Sequence, residues 1–187
     1  MPPDDDKTES VAHQGTLFNG RLADETVGFR GPTACRAAGI TYRQLDYWAR
    51  TGLVAPSVRP ATGSGTQRLY NFRDILVLKI VKRLLDAGVS LNQIRSAVAH
   101  LRERGVDDLA TITVMSDGAS VYECTSADEV FDLVQGGQGV FGIAVASVWR
   151  EVEGSLAELP SEKSQAAGHT SAPPDELAAR RMARRVS

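Results

Sequence analysis

Thr41, Tyr42, Arg43 and Gln44 stand together at the head of a short amphipathic stretch, and Tyr47 and Arg50 follow in the same stretch. Leu45 and Trp48, spaced i, i+3, are assigned inward, which leaves Tyr47 on the outward side. The chemistry of the polar set is recognition rather than catalysis. A guanidinium matches the O6 and N7 acceptors of guanine bidentately, and a carboxamide matches the edge of adenine in the same way. Tyrosine and arginine farther along such a face reach phosphate oxygens, which fix register without reading sequence. Arg43 ranks first as a base reader, because Gln44 is expected to be occupied as a helix cap. Arg59 and Arg68 flank a Pro- and Gly-bearing segment and supply two further cations for the flanking backbone or the minor groove.

No constellation of catalytic type competes with this set. Asp117, Glu123, Asp128 and Glu129 are acidic neighbours in sequence, but Asp117 belongs to a turn and Glu129 to a helix cap, and no nucleophile–base pair accompanies them. Gly136-Gly137-Gln138-Gly139 lacks the Lys-Ser/Thr of a phosphate loop and reads as a turn. Cys35 and Cys124 form no Cys-x-x-Cys or Cys/His set with His13, His100 or His169, so no metal site or cofactor is expected. Both cysteines read as small core residues of a protein in a reducing cytoplasm. The acidic, polar start MPPDDDKTES is no secretory signal, and no apolar run approaches the ~20 residues that span a bilayer.

The net charge of −2 conceals a strong asymmetry. Residues 31–104 hold twelve Lys/Arg and four acids, a net charge of +8. Residues 105–160 hold one Arg and ten acids, a net charge of −9. A basic module favours a polyanion, since each neutralised phosphate releases counterions. The acidic half is expected to face away from such a partner. The bland alternative is that the two halves pair their charges with each other.

The elements that must position these side chains are signalled by caps. Pro32 suits the first turn of a helix ending near Ala38, and Gly39 its stop. Thr41-x-x-Gln44 is a capping box opening a helix from Tyr42 to Thr51, with Leu45 and Trp48 turned inward. Asn71 caps a third helix, Phe72 to Asp86, whose apolar residues surround most of its circumference and place it at the centre of the core. Ser90-x-x-Gln93 opens a fourth, to about Arg104, with Leu91, Ile94, Val98 and Leu101 on one face. Between the second and third helices, two short extended segments flank Gly63-Ser64-Gly65 and read as a β-hairpin. Two helices, a tight turn, a basic hairpin and a core helix follow the order of a winged helix-turn-helix.

Beyond Gly105 the pattern changes. Thr111–Met115 and Ser120–Cys124 flank Asp117-Gly118, a strong hairpin signal. Ser126-x-x-Glu129 caps a short helix carrying Val130, Phe131 and Val134. After an apolar segment at 140–145, a last helix to about Leu159 bears Val145, Val148, Trp149, Val152 and Leu156 on one stripe. The expected fold is mainly α: a winged helix-turn-helix over 31–104, then a small α+β domain over 107–159. Its apolar helix is expected to dimerise the chain through that stripe. Tails at 1–30 and 160–187 read as disordered, the second with a basic end at Arg180, Arg181, Arg184 and Arg185. Two readings of residues 107–159 stand open. One is a dimerisation module; the other is an effector pocket lined by Tyr122, Phe131, Phe141 and Trp149.

The stretch Gly39-Ile-Thr-Tyr-Arg-Gln-Leu-Asp-Tyr-Trp-Ala-Arg-Thr-Gly-Leu53 resembles the second helix of MerR-family regulators. Arg59, Gly65-Thr-Gln-Arg68-Leu-Tyr70, Asp74 and Gly88-Val-Ser-Leu-Asn-Gln-Ile94 resemble the wing, third and fourth helices of that family in the same order. The resemblance covers about residues 31–104. It implies a cytoplasmic, nucleoid-associated homodimer on double-stranded DNA that binds a near-palindromic promoter operator and distorts it to control initiation by RNA polymerase. An effector, if any, is not specified. The full candidate contact set is Thr41, Tyr42, Arg43, Gln44, Tyr47, Arg50, Arg59, Arg68 and Tyr70. Asp46 stands where the family usually has Arg, Ala49 where it has Glu, and Trp48 replaces the second aromatic, so no phosphate contact is assigned to position 46. The long dimer helix that follows the fourth helix in many members is not evident. An architectural or excision-type DNA binder shares the winged fold and is the alternative.

Overall fold

The computed structural model describes residues 24–60, 67–104, 106–135 and 140–163. The chain begins there with a strand, β1 (Val27–Arg30), and passes directly into α1 (Gly31–Ala38) and α2 (Tyr42–Arg50). β2 (Leu69–Tyr70) leads into α3 (Phe72–Asp86) and α4 (Leu91–Glu103). The second half runs α5 (Val106–Leu109), β3 (Thr113–Ser116), β4 (Val121–Cys124), α6 (Ala127–Gln135), β5 (Phe141–Ala144), α7 (Val145–Ala157) and β6 (Glu162–Lys163). The result is a mixed α/β chain: a helix-turn-helix region followed by helices and small antiparallel sheets.

The caps act as their residue types dictate. The Thr41 hydroxyl accepts from the Gln44 amide at 3.2 Å, while the Gln44 side chain accepts from the Thr41 amide at 2.9 Å. Reciprocal boxes of the same kind open α3, with Asn71 and Asp74, and α4, with Ser90 and Gln93. Each satisfies two backbone donors that the first helical turn leaves without partners. Gly39 ends α1 in the left-handed region at φ 71°, where a side chain would be strained, and so sets the sharp turn into α2.

Among the described residues the strands form two three-stranded antiparallel sheets, in the orders β2-β1-β6 and β4-β3-β5. In the first, Phe29 faces Tyr70 and Gly28 faces Glu162, so residues from both ends of the described chain meet beside the wing. Residues 1–30 were expected to be disordered; Val27–Arg30 instead forms the central strand of this sheet, with Val27 and Phe29 buried. β6 likewise orders the first residues of the expected C-terminal tail. In the second sheet, β3 and β4 form the anticipated hairpin, its turn held by Asp117 accepting from the amides of Ala119 at 2.8 Å and Ser120 at 2.6 Å. The apolar segment after residue 140 becomes β5 on the other edge of β3.

One hydrophobic cluster runs through both halves. It contains Leu45 and Trp48 of α2, Ile75, Leu78 and Val81 of α3, Ile94 and Val98 of α4, and Val114 and Ile143 of the second sheet. The α7 stripe belongs to it as well: Val145, Val148, Trp149, Val152 and Leu156 are all buried, and α7 packs on α3 and α1 of its own chain. The expectation that this stripe joins two chains is therefore corrected. Burial within the monomer leaves none of the five as a free surface. At the junction, Glu151 of the acidic half pairs with Lys79, at 3.2 Å, and with Arg83 of α3. Some of the opposite charge is thus matched inside the chain, as the bland alternative held.

Candidate nucleic-acid interface

The exposed face of α2 is built on a fixed base. Leu45 and Trp48 are buried, so rotation about the helix axis would drag both out of the core. Opposite them, Tyr42 and Tyr47 are exposed at 62% and 46%, far more than aromatic residues whose role is packing. Arg43 and Arg50 are exposed on the same side. Arg43 has no hydrogen-bond or ion-pair partner among the described residues. Its guanidinium is available in full to an external acceptor.

The other candidates are engaged to different degrees. Thr41 and Gln44 close the capping box, which ties up the Thr41 hydroxyl and the Gln44 carbonyl oxygen; the Gln44 amide donors remain. Arg50 donates to Asp46 at 2.9 Å. Arg68 donates to Asp46 at 2.8 Å and is largely withdrawn from solvent. Arg59 donates to the Gln67 carbonyl at 3.0 Å and lies 3.8 Å from Glu162, which also pairs with Arg30. Arg59 and Leu69 exchange two backbone hydrogen bonds, which closes the base of the expected hairpin. The tip itself, residues 61–66, lies outside the described residues. Tyr70 is corrected: it is completely buried beneath the wing, where burial pushes its hydroxyl pKa up to about 12, and it offers no atom to a nucleic acid.

The basic charge counted in the sequence is not all available outward. Arg73 donates to the carbonyls of Leu101 and Arg102 at 3.1 and 2.6 Å, at the end of α4. Lys79 donates to the Ala37 carbonyl and Arg95 to the Thr51 carbonyl, each at 3.1 Å. These cations satisfy carbonyls at the C-terminal ends of helices, where the helix dipole favours positive charge. They tie α1 and α4 to α3, and α2 to α4. The outward positive charge is therefore less than a net charge of +8 suggests: Arg43 is exposed and unengaged among the described residues, whereas Arg59 and Arg68 are held by Glu162 and Asp46.

Neither Glu162 nor any residue of β1 figured among the sequence candidates. Glu162 lies 132 residues from Arg30, a separation across which no local signal operates. The four aromatics expected to line a pocket do not converge. Trp149 is buried against Phe72, Phe131 and Phe141 are exposed, and Tyr122 lines a cavity of only about 50 Å³ with His100, Leu101 and Glu123. Among the described residues no group of three or more His, Cys, Asp or Glu is placed to hold a metal. Burial raises the thiol pKa of both Cys35 and Cys124, which keeps them protonated. No described helix is long and apolar enough to cross a membrane.

A family model described as "MerR HTH family regulatory protein" matches residues 29–101. The chain is 66% identical over 170 residues to the uncharacterized HTH-type transcriptional regulator Rv1830 of Mycobacterium tuberculosis, covering 91% of this chain and 76% of the relative. The uncharacterized HTH-type transcriptional regulator Mb1861 of Mycobacterium bovis matches to the same extent. The HTH-type transcriptional regulator HmrR of Sinorhizobium medicae is 31% identical over 71 residues, covering 38% of this chain and 46% of the relative.

Proposed function

The chain belongs to the MerR family of helix-turn-helix transcriptional regulators, and on that basis we propose that it binds a near-palindromic promoter operator as a homodimer, with Arg43 as its principal base reader. The family is one of regulators, not of enzymes. The observation that carries the reading is the pairing of a rigid helix with an unengaged arginine. α2 is capped at its start and anchored by Leu45 and Trp48, while Arg43 stands exposed in its first turn. A recognition helix presents this part to base edges in the major groove.

Around Arg43 the roles divide by chemistry. The Gln44 amide reaches an adjacent base edge. Thr41 orders the helix start, and Tyr42 and Tyr47 supply aromatic surface and hydroxyls to sugar and phosphate. Arg50, Arg59 and Arg68 approach the flanking backbone. We assign DNA reading to residues 31–104, with β1 and β6 bracing the wing, and self-association to 107–159 through residues other than the buried α7 stripe. The dimer distorts the promoter so that RNA polymerase initiates or stalls, and it works on the nucleoid in the cytoplasm.

Selection from random duplex DNA, followed by sequencing of the retained fragments, tests the reading. An inverted repeat is expected to emerge, and light scattering of the complex should give two chains per site. Enrichment of bent or AT-rich DNA without a repeat would favour an architectural role instead. Recovery of no motif would overturn the reading.

A further inference from the structure

Asp46 lies in the middle of the face that α2 presents outward, three residues after Arg43 and four before Arg50, so all three project from the same side. A carboxylate there repels phosphate. Each of its two oxygens nevertheless has an arginine partner. Oδ1 accepts from Nη1 of Arg68 at 2.8 Å, and Oδ2 faces Nε of Arg50 at 2.9 Å. Arg68 comes from the wing, 22 residues away, and its side chain is only 22% exposed. The contact is a polar link between the recognition helix and the wing. Asp46 is held ionised, because the Arg68 hydrogen bond and the Arg50 charge draw its pKa below the ordinary carboxylate value.

We propose that Asp46 is a specificity-determining positioning residue: it holds Arg68 against α2 and neutralises one of two DNA-facing arginines, so that binding depends on base reading more than on phosphate attraction. This rests on the DNA-binding reading above. Two arginines with no carboxylate between them would each seek a phosphate on any duplex, whatever its sequence. With Asp46 in place the three side chains carry one net positive charge, and the wing keeps a fixed distance from the helix that carries Arg43. Sequence-independent affinity is lowered, while the geometry needed for the operator is preserved.

The test compares the operator duplex recovered by selection with a scrambled duplex of equal length, across a salt series, for the full chain. Asp46→Asn removes the charge at nearly constant shape. Its affinity for the scrambled duplex should rise. The slope of log affinity against log salt should steepen by about 0.9 for each further phosphate that the freed arginines neutralise, so that a fourfold rise in salt costs roughly 3.5-fold more per phosphate. The ratio of operator to scrambled affinity should fall. Asp46→Glu, which keeps the charge, should restore most of that ratio. In the double variant Asp46→Asn with Arg68→Gln the added salt dependence should shrink, because the released arginine is gone. A merely structural role would lower the melting temperature and weaken both duplexes alike without changing the slope, and that result would overturn the proposal. If the unaltered chain selects no duplex at all, the DNA-binding reading fails instead.

Discussion

Trp149 of α7 packs on Phe72 at the first turn of α3, with ring centroids 4.5 Å apart and planes inclined by 55°. The tilted arrangement is one that aromatic quadrupoles favour. It joins the last helix of the described chain to α3, the core helix of the helix-turn-helix region, and both residues are buried in the common core.

Truncating that contact should therefore destabilise the whole chain rather than separate two copies. Trp149→Ala is expected to cost about 3–5 kcal/mol, the range for deleting a large core aromatic. Denaturant unfolding followed by far-ultraviolet circular dichroism should show a single transition moved to lower denaturant. A second, unmoved transition for the N-terminal half would contradict the shared core.

Arg43→Ala should relax the base preference at one position in each half-site and cost about 1–3 kcal/mol there, with other positions unchanged. Arg59→Ala should weaken all duplexes evenly and flatten the salt dependence. Selection profiles of the two variants, compared with the unaltered chain, separate base reading from phosphate contact. A uniform loss for Arg43→Ala would remove it from the base-reading role.

Tyr70→Phe should leave DNA affinity unchanged, since the ring lies wholly inside the chain. Its hydroxyl is buried with no partner at good hydrogen-bond geometry, although the Arg68 guanidinium lies near it, so deleting that oxygen is expected to change stability by no more than about 1 kcal/mol. Fluorescence anisotropy and thermal melting measure both. A marked loss of affinity at unaltered stability would return Tyr70 to the contact surface.

Two carboxylates should give pH dependences of opposite sign. Burial raises the pKa of Asp74, although the Ser57 amide at 2.8 Å, the Ser57 hydroxyl at 2.7 Å and the Asn71 amide at 3.1 Å all donate to it. The folded chain then binds its proton more readily than the unfolded chain does. The penalty for keeping Asp74 ionised is present at neutral pH and is relieved as pH falls through the folded value, above the ordinary carboxylate range. Asp46 is lowered by the Arg68 hydrogen bond, so its contribution is present above the unfolded value near 4 and is lost as pH falls through the folded one. Unfolding midpoints measured from pH 7 down to about 3.5 should show the unaltered chain gaining on Asp74→Asn and losing ground to Asp46→Asn. Parallel curves would contradict both assignments.

The helices of the helix-turn-helix region were legible in the chain because their determinants are local. Thr41 and Gln44, Asn71 and Asp74, and Ser90 and Gln93 are each three residues apart, and Gly39 needs only its own freedom to reach positive φ. The inward turn of Leu45 and Trp48, and with it the outward turn of Arg43, followed from helical period alone. The β3–β4 hairpin was equally local, since Asp117 bonds its own turn. Apolar period also identified the α7 stripe, but period says only that a face is buried, not against what. Tertiary structure decided that it lies on α3 and α1 of the same chain. Tertiary structure likewise buried Tyr70, carried Val27–Arg30 into a sheet with Glu162–Lys163, and set Asp46 against Arg68. Each of these depends on partners 22 to 136 residues apart in the chain, brought together only when the core around α3 closes.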